Sequence, residues 1–289
     1  MRLGTRASAL ALAQARLVAD ALPGEVEIVD VRTGGDAGAA VGDKLRWVDG
    51  LERALLDGSI DLAVHSAKDV PAELADGLEL LGVPAREDPR DALVGAPSMQ
   101  ALAAGARVGT TSLRRRAALL AARDDLEVVE LRGNVDTRLR KLADGEVDAL
   151  VLALAGLRRL GRDDAADAVL EPEVMLPAAG QGALALEGRA DDGDAYAAAA
   201  SISDLDATVC VIAERALTAG LDATCHTPVA ALATVDGAML TLRAFAALPD
   251  GSEWMRDTAT GPADDPEAVG REVAHRLRSI GAADLLARA

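Results

Sequence analysis

Aromatic side chains are almost missing from this chain, which has two tryptophans, one tyrosine and one phenylalanine among 289 residues. So few stacking faces leave little for nucleobases to lie on. Lysine is nearly absent as well, found only at Lys44, Lys68 and Lys141. The 47 acidic residues outweigh 30 basic ones, for a formal net charge of -17. A polyanion repels phosphate backbones, so composition argues against nucleic acid as a partner. Acidic, lysine-poor surfaces stay hydrated and apart where salt screens charge, and a salt-adapted protein is the expectation. The two cysteines, Cys210 and Cys225, make no disulfide framework, and the three histidines, His65, His226 and His275, are scattered. No metal site is expected from that pattern. No apolar run is long enough to span a bilayer and no cationic-then-apolar leader follows Met1. A soluble, cytoplasmic protein with no membrane partner is expected.

Half of the residues are apolar, enough for two or three domains with sizeable cores. Against the acidic background, residues 108–140 gather seven arginines: Arg114, Arg115, Arg116, Arg123, Arg132, Arg138 and Arg140. Thr110, Thr111 and Ser112 precede leucines at helical spacing, so a short strand should feed a helix over 113–122. Free N–H groups at that terminus, neighbouring hydroxyls and Arg114 and Arg115 in the first turn would seat a carboxylate or phosphate. The unit recurs, with a strand over 126–131, a turn at Gly133-Asn134 and a helix over 135–142 carrying Arg138. Arg116, Arg123 and Arg140 fit solvated helix faces or ends.

The same device opens the chain, where a strand ending at Arg6 leads through Ser8 into a helix over 9–22 that carries Gln14. Residues 33–43, rich in glycine and alanine, read as a mobile loop. A strand over 60–64 ends at His65-Ser66-Ala67-Lys68-Asp69-Val70-Pro71, which places Lys68 and Asp69 where a parallel sheet displays its chemistry. Segment 86–91 reads as a polar crossover and 149–154 as a buried strand. Leu157-Arg158-Arg159 then opens a helical segment from which Arg159 could face the same cleft. After a turn-forming link at 176–182 and a strand over 183–187, the chain changes character. A helix over 204–218, three strands and one long final helix over 266–287 indicate a small α+β unit. Cys210 falls inside its first helix and Cys225 in a loop. The expected fold is α/β, with two lobes around a cleft (1–85 with 180–203, and 86–179) and a small α+β C-terminal domain (204–289).

Together these segments closely resemble the porphobilinogen deaminase family, also called hydroxymethylbilane synthases. The likeness runs through Gly4-Thr5-Arg6-Ala7-Ser8, His65-Ser66-Ala67-Lys68-Asp69-Val70-Pro71, Arg86-Glu87-Asp88-Pro89-Arg90-Asp91, residues 108–115, Leu131-Arg132-Gly133-Asn134 and residues 176–182. It implies periplasmic-binding-protein-like lobes and a transferase of tetrapyrrole biosynthesis, the route to haem and related pigments. Such an enzyme joins four porphobilinogen molecules head to tail into hydroxymethylbilane, losing ammonia each time. It also implies a dipyrromethane cofactor held by a thioether, with Cys225 as anchor, and a protein acting as a monomer. By the same similarity Ser66, Lys68, Thr110, Ser112, Arg114 and Arg115 would hold the cofactor's carboxylates. Arg6, Ser8, Gln14, Arg132, Arg138 and Arg159 would hold substrate and growing chain, and Asp69 would steady the cationic azafulvene left when ammonia departs. Ala223-Thr224 stands where the family has two glycines, Asp43-Lys44-Leu45-Arg46-Trp47 alters its active-site loop, and Asp136 replaces a small residue. The alternative is a non-catalytic, two-lobed protein that captures a carboxylate solute.

Overall fold

A computed structural model of the chain describes residues 1–31, 45–224 and 226–289. The expected loop over 33–43 and Cys225 lie outside the described residues. The first sheet has the order β2-β1-β3-β10-β4. Its strands are β1 (Arg2–Thr5), β2 (Glu27–Asp30), β3 (Leu62–Ser66), β4 (Leu78–Gly82) and β10 (Leu184–Arg189). The second has the order β7-β6-β8-β5-β9. It contains β5 (Asp91–Val94), β6 (Arg107–Gly109), β7 (Glu127–Val129), β8 (Ala149–Ala153) and β9 (Ala168–Leu170). The two orders follow one plan. Four strands run the same way, and the fifth, which is the strand the chain enters on crossing from the other sheet, runs antiparallel to both neighbours. Two segments therefore connect the lobes, one before β5 and one before β10.

Helices cover both faces of each sheet, which explains the unbroken apolar runs. In β8, Ala149 and Val151 face one core while Leu150 and Leu152 face another. Helix α1 (Ala9–Ala21) starts where Ser8 Oγ accepts the Ala11 N–H at 3.2 Å, and it buries Gln14, Ala15 and Val18. Helix α3 (Leu113–Ala122) coincides with the predicted span and is capped by Ser112. Helix α4 (Val135–Ala143) is capped by Asn134, whose Oδ1 accepts the Thr137 N–H at 2.9 Å. Helix α5 (Leu154–Arg159) begins three residues before the expected opening, so Arg159 ends it.

The third sheet, antiparallel β11-β12-β13, comprises Val229–Asp236, Met239–Ala247 and Trp254–Pro262. One face packs on α7 (Leu205–Gly220) and α8 (Pro266–Ser279). On the other, Leu232 and Phe245 meet Ala117 of α3 and Leu176. The expected single final helix is two, because Gly281 takes φ 102°, a left-handed conformation that ends α8 before α9 (Ala282–Ala287). Strand β9 and helix α6 (Gly193–Ser201) have no counterpart in the sequence reading. Cys210 is buried within α7, as expected of a structural thiol, and burial with Glu214 beside it pushes the thiol up to about 11. Among the described residues no helix is long and apolar enough to cross a membrane.

Candidate active site

The C-terminal ends of β1, β3, β6, β7 and β8 are where the predicted site residues leave the sheets, as open α/β folds dictate. On the first lobe, Ser66 ends β3, and Ala67–Asp69 form a single 3-10 turn. Gln14 of α1 donates from Nε2 to Ser66 Oγ at 2.8 Å. Arg6, Ser8, Gln14, Ser66 and Asp69 line one pocket, and the Asp69 carboxyl is exposed in it. Lys68 is only partly exposed, and its ammonium is pushed down to about 8. Burial is the main cause; Asp69 pulls the other way, and Arg115 and Arg114 add repulsion from the second lobe.

On the second lobe, Thr110 is buried and its Oγ1 accepts the Ser112 N–H at 3.1 Å, while Ser112 Oγ accepts the Arg115 N–H at 3.4 Å. These contacts fix the entry to α3 and leave each hydroxyl proton for another acceptor. Arg114 and Arg115 are buried rather than displayed. Each donates to a backbone carbonyl, Arg114 to Leu176 at 2.7 Å and Arg115 to Val151 at 2.9 Å. Both also close on Asp91, which the sequence alone places in a polar crossover. Arg138 donates from Nε to the Gly133 carbonyl at 2.7 Å, and burial together with Arg115 lowers its guanidinium. Arg159 reaches the Gly182 carbonyl at 2.6 Å, on the second crossover. Arg132 stands apart, exposed and paired with Glu130 at 2.6 Å. Asp136 pairs on the surface with Arg162 at 2.9 Å, which gives that substitution a local partner.

Two buried acids complete the frame. Glu214 of α7 accepts Arg86 at 2.7 and 3.1 Å, the Gly180 N–H at 2.6 Å and the Ala233 N–H at 2.8 Å. It therefore ties both crossovers to the third sheet. Beneath Ser66, His65 Nε2 lies 2.8 Å from Glu187 Oε2, both buried. Asp91, Glu187 and Glu214 were missed because a carboxylate in sequence carries no mark of burial. The only available signal was their position inside or beside apolar runs.

Arg6 shares a pocket with exposed Asp69, and Arg115 and Arg114 lie near enough to Lys68 to repel its ammonium, so cationic donors suited to an anion gather at the strand ends. Nε of Arg114 is buried with no hydrogen-bond partner among the described residues, which leaves a donor for such an anion. The fold defines an α/β protein of two sheet-helix lobes with a small C-terminal sheet domain. Residues 1–197 match the family profile described as porphobilinogen deaminase, dipyromethane cofactor binding domain, and residues 208–279 the porphobilinogen deaminase C-terminal domain. The chain belongs to the porphobilinogen deaminase family.

A porphobilinogen deaminase from Sorangium cellulosum is 52% identical over 89% of each chain. One from a Roseiflexus species is 47% identical over 99% of this chain and 98% of its own. One from Xanthomonas oryzae pv. oryzae is 48% identical over the same shares. Solved structures with some likeness include an ABC-transporter periplasmic substrate-binding protein from Coxiella burnetii, with TM-score 0.43 and 16% identity over 70% of this chain and 91% of that one. Another is a nutrient-binding protein from Burkholderia cenocepacia bound to methionine, with TM-score 0.42 and 14% identity over 68% and 88%. The relatives at high identity are named as deaminases, so the non-catalytic carboxylate binder is set aside. The matched profile names dipyrromethane as the cofactor of the domain that holds the site.

Proposed function

We propose that this chain joins porphobilinogen units head to tail with loss of ammonia, and that Asp69 is its catalytic carboxylate. The observation that carries this reading is the placement of exposed Asp69 beside Lys68, whose ammonium is repelled by Arg114 and Arg115 of the facing lobe. A fixed negative charge there stabilises the cationic carbon left when the incoming unit loses ammonia, and it can take the proton that the terminal pyrrole carbon of the bound chain gives up after attacking that cation. Each substrate pyrrole carries acetate and propionate groups. Arg6, Ser8, Gln14, Arg138 and Arg159 hold those of the incoming unit and the growing chain. Arg132 joins them by exchanging its exposed partner Glu130 for substrate.

Dipyrromethane, when bound, supplies the terminal pyrrole carbon on which the chain is extended. Ser66, Lys68, Thr110, Ser112, Arg114 and Arg115 bind its carboxylates, and Cys225 anchors it through a thioether. We further propose the domain division 1–85 with 180–203, 86–179 and 204–289, a monomer, and a salt-rich cytoplasm as its setting, without nucleic acid as a partner.

Intact mass under denaturing conditions tests the anchor. Protein made with porphobilinogen available should carry an increment of two linked pyrroles, and peptide mapping should place it on Cys225. An unmodified Cys225 peptide in turning-over enzyme would exclude the thioether.

A further inference from the structure

We infer that Asp91 is a positioning residue that sets Arg114 and Arg115 for carboxylate binding and ties them, through Gln181, to the crossovers between the lobes. This rests on the reading that those arginines hold the cofactor's acid groups. Asp91 is the first residue of β5 and fully buried, with backbone neighbours Ala153 and Leu170 on either side. Its carboxylate thus leaves a backbone held between two strands, at the end of the sheet where β8 and β9 finish. Oδ1 accepts Arg115 Nε at 3.1 Å, Arg115 Nη2 at 2.7 Å and Gln181 Nε2 at 2.9 Å. Oδ2 lies 2.8 Å from Arg114 Nη2.

Two adjacent buried guanidiniums repel each other, and one carboxylate between them both orients the pair and leaves one uncompensated positive charge for a ligand. Gln181 adds the mechanical link. Its Nε2 donates to Asp91 and also to the Pro89 carbonyl at 2.7 Å, while its backbone carbonyl accepts Arg86 Nε at 2.9 Å. One side chain from the second crossover therefore holds the first crossover and the arginine anchor together.

The test compares Asp91→Asn, Asp91→Glu, Gln181→Met and Arg115→Gln, each made with porphobilinogen available. The readouts are the fraction of folded protein carrying the two-pyrrole mass increment, and kcat and KM of the loaded fraction. Asp91→Asn should lower the loaded fraction at least about tenfold. Asp91→Glu should restore part of it, and Gln181→Met, which keeps both ion pairs, should lower it by a smaller factor. If Asp91→Asn does not fold, Gln181→Met and Asp91→Glu decide. Wild-type loading in folded Asp91→Asn or in Gln181→Met, with only the melting temperature lowered, overturns the inference. Lost loading in Arg115→Gln alongside normal loading in Asp91→Asn overturns the inference alone; normal loading in Arg115→Gln overturns the carboxylate reading beneath it.

Discussion

Lys68 and Asp69 are adjacent in sequence yet occupy different electrostatic environments. Asp69 faces the cleft, whereas the Lys68 ammonium is pressed between burial and two guanidiniums. Because the lysine's folded-state pKa, about 8, lies below its ordinary value, the unfolded chain binds more protons between the two. Stability from this residue therefore rises as pH climbs through that window, and the charged lysine is a burden below it. Lys68→Met should raise the melting temperature of cofactor-free protein at neutral pH, by a margin that shrinks above about pH 8. A margin that stays constant to pH 10 would show that packing, not charge, is responsible. Asp69→Asn should leave the fold and cofactor loading intact while reducing kcat by roughly 100-fold or more, as expected for loss of an acid–base and electrostatic group. Single-turnover kinetics on loaded protein would detect it, and near-normal turnover would remove Asp69 from the chemistry.

At the scale of elements, the site depends on how closely turns approach one another. Gly180 takes φ 71°, and a Cβ there would lie 2.8 Å from the Lys68 backbone nitrogen and 2.9 Å from the Ala67 carbonyl carbon. The second crossover is thus pressed against the turn that displays Lys68 and Asp69. Gly180→Ala should displace that turn, lowering kcat more than it lowers loading; a crystal structure with the turn unmoved would contradict this. Capping is the other element-level control. Ser112→Ala removes the hydroxyl that receives the Arg115 N–H and should cost about 1 kcal/mol by denaturant titration.

Much at this scale was legible in sequence. Ser112, Leu113 and the following leucines define α3 to the residue, because capping and helical period agree. Strand β9, only three residues long, carries too short a pattern to register, and α6, dominated by alanine, has little contrast between its faces. The break before α9 turns on Gly281 adopting a conformation its sequence merely permits.

Across the whole molecule, Glu214 joins three parts. It receives donors from one crossover at Arg86, from the other at Gly180 and from β11 at Ala233. Glu214→Gln leaves the Arg86 charge buried without its partner and should destabilise the protein by about 3 kcal/mol. Calorimetry should then resolve a separate transition for the C-terminal unit. A single unshifted transition would mean that Glu214 does not hold the domains together. The surplus of 47 acidic over 30 basic residues acts at the same scale, since mutual repulsion falls as salt shortens the screening length. Melting temperature should therefore climb from low to molar potassium chloride.

Composition, periodicity and the ordered motifs were sufficient for the kind of fold, the family and the gathering of arginine near strand ends, since these are properties of local sequence. Sequence alone could not tell that Arg114 and Arg115 would turn inward onto Asp91, that Arg132 would stand outside, or that Glu214 would clamp both crossovers. Those outcomes depend on which charges lose their water together. Desolvation is settled only when residues far apart in the chain, such as Asp91 and Gln181, are packed into one dry place.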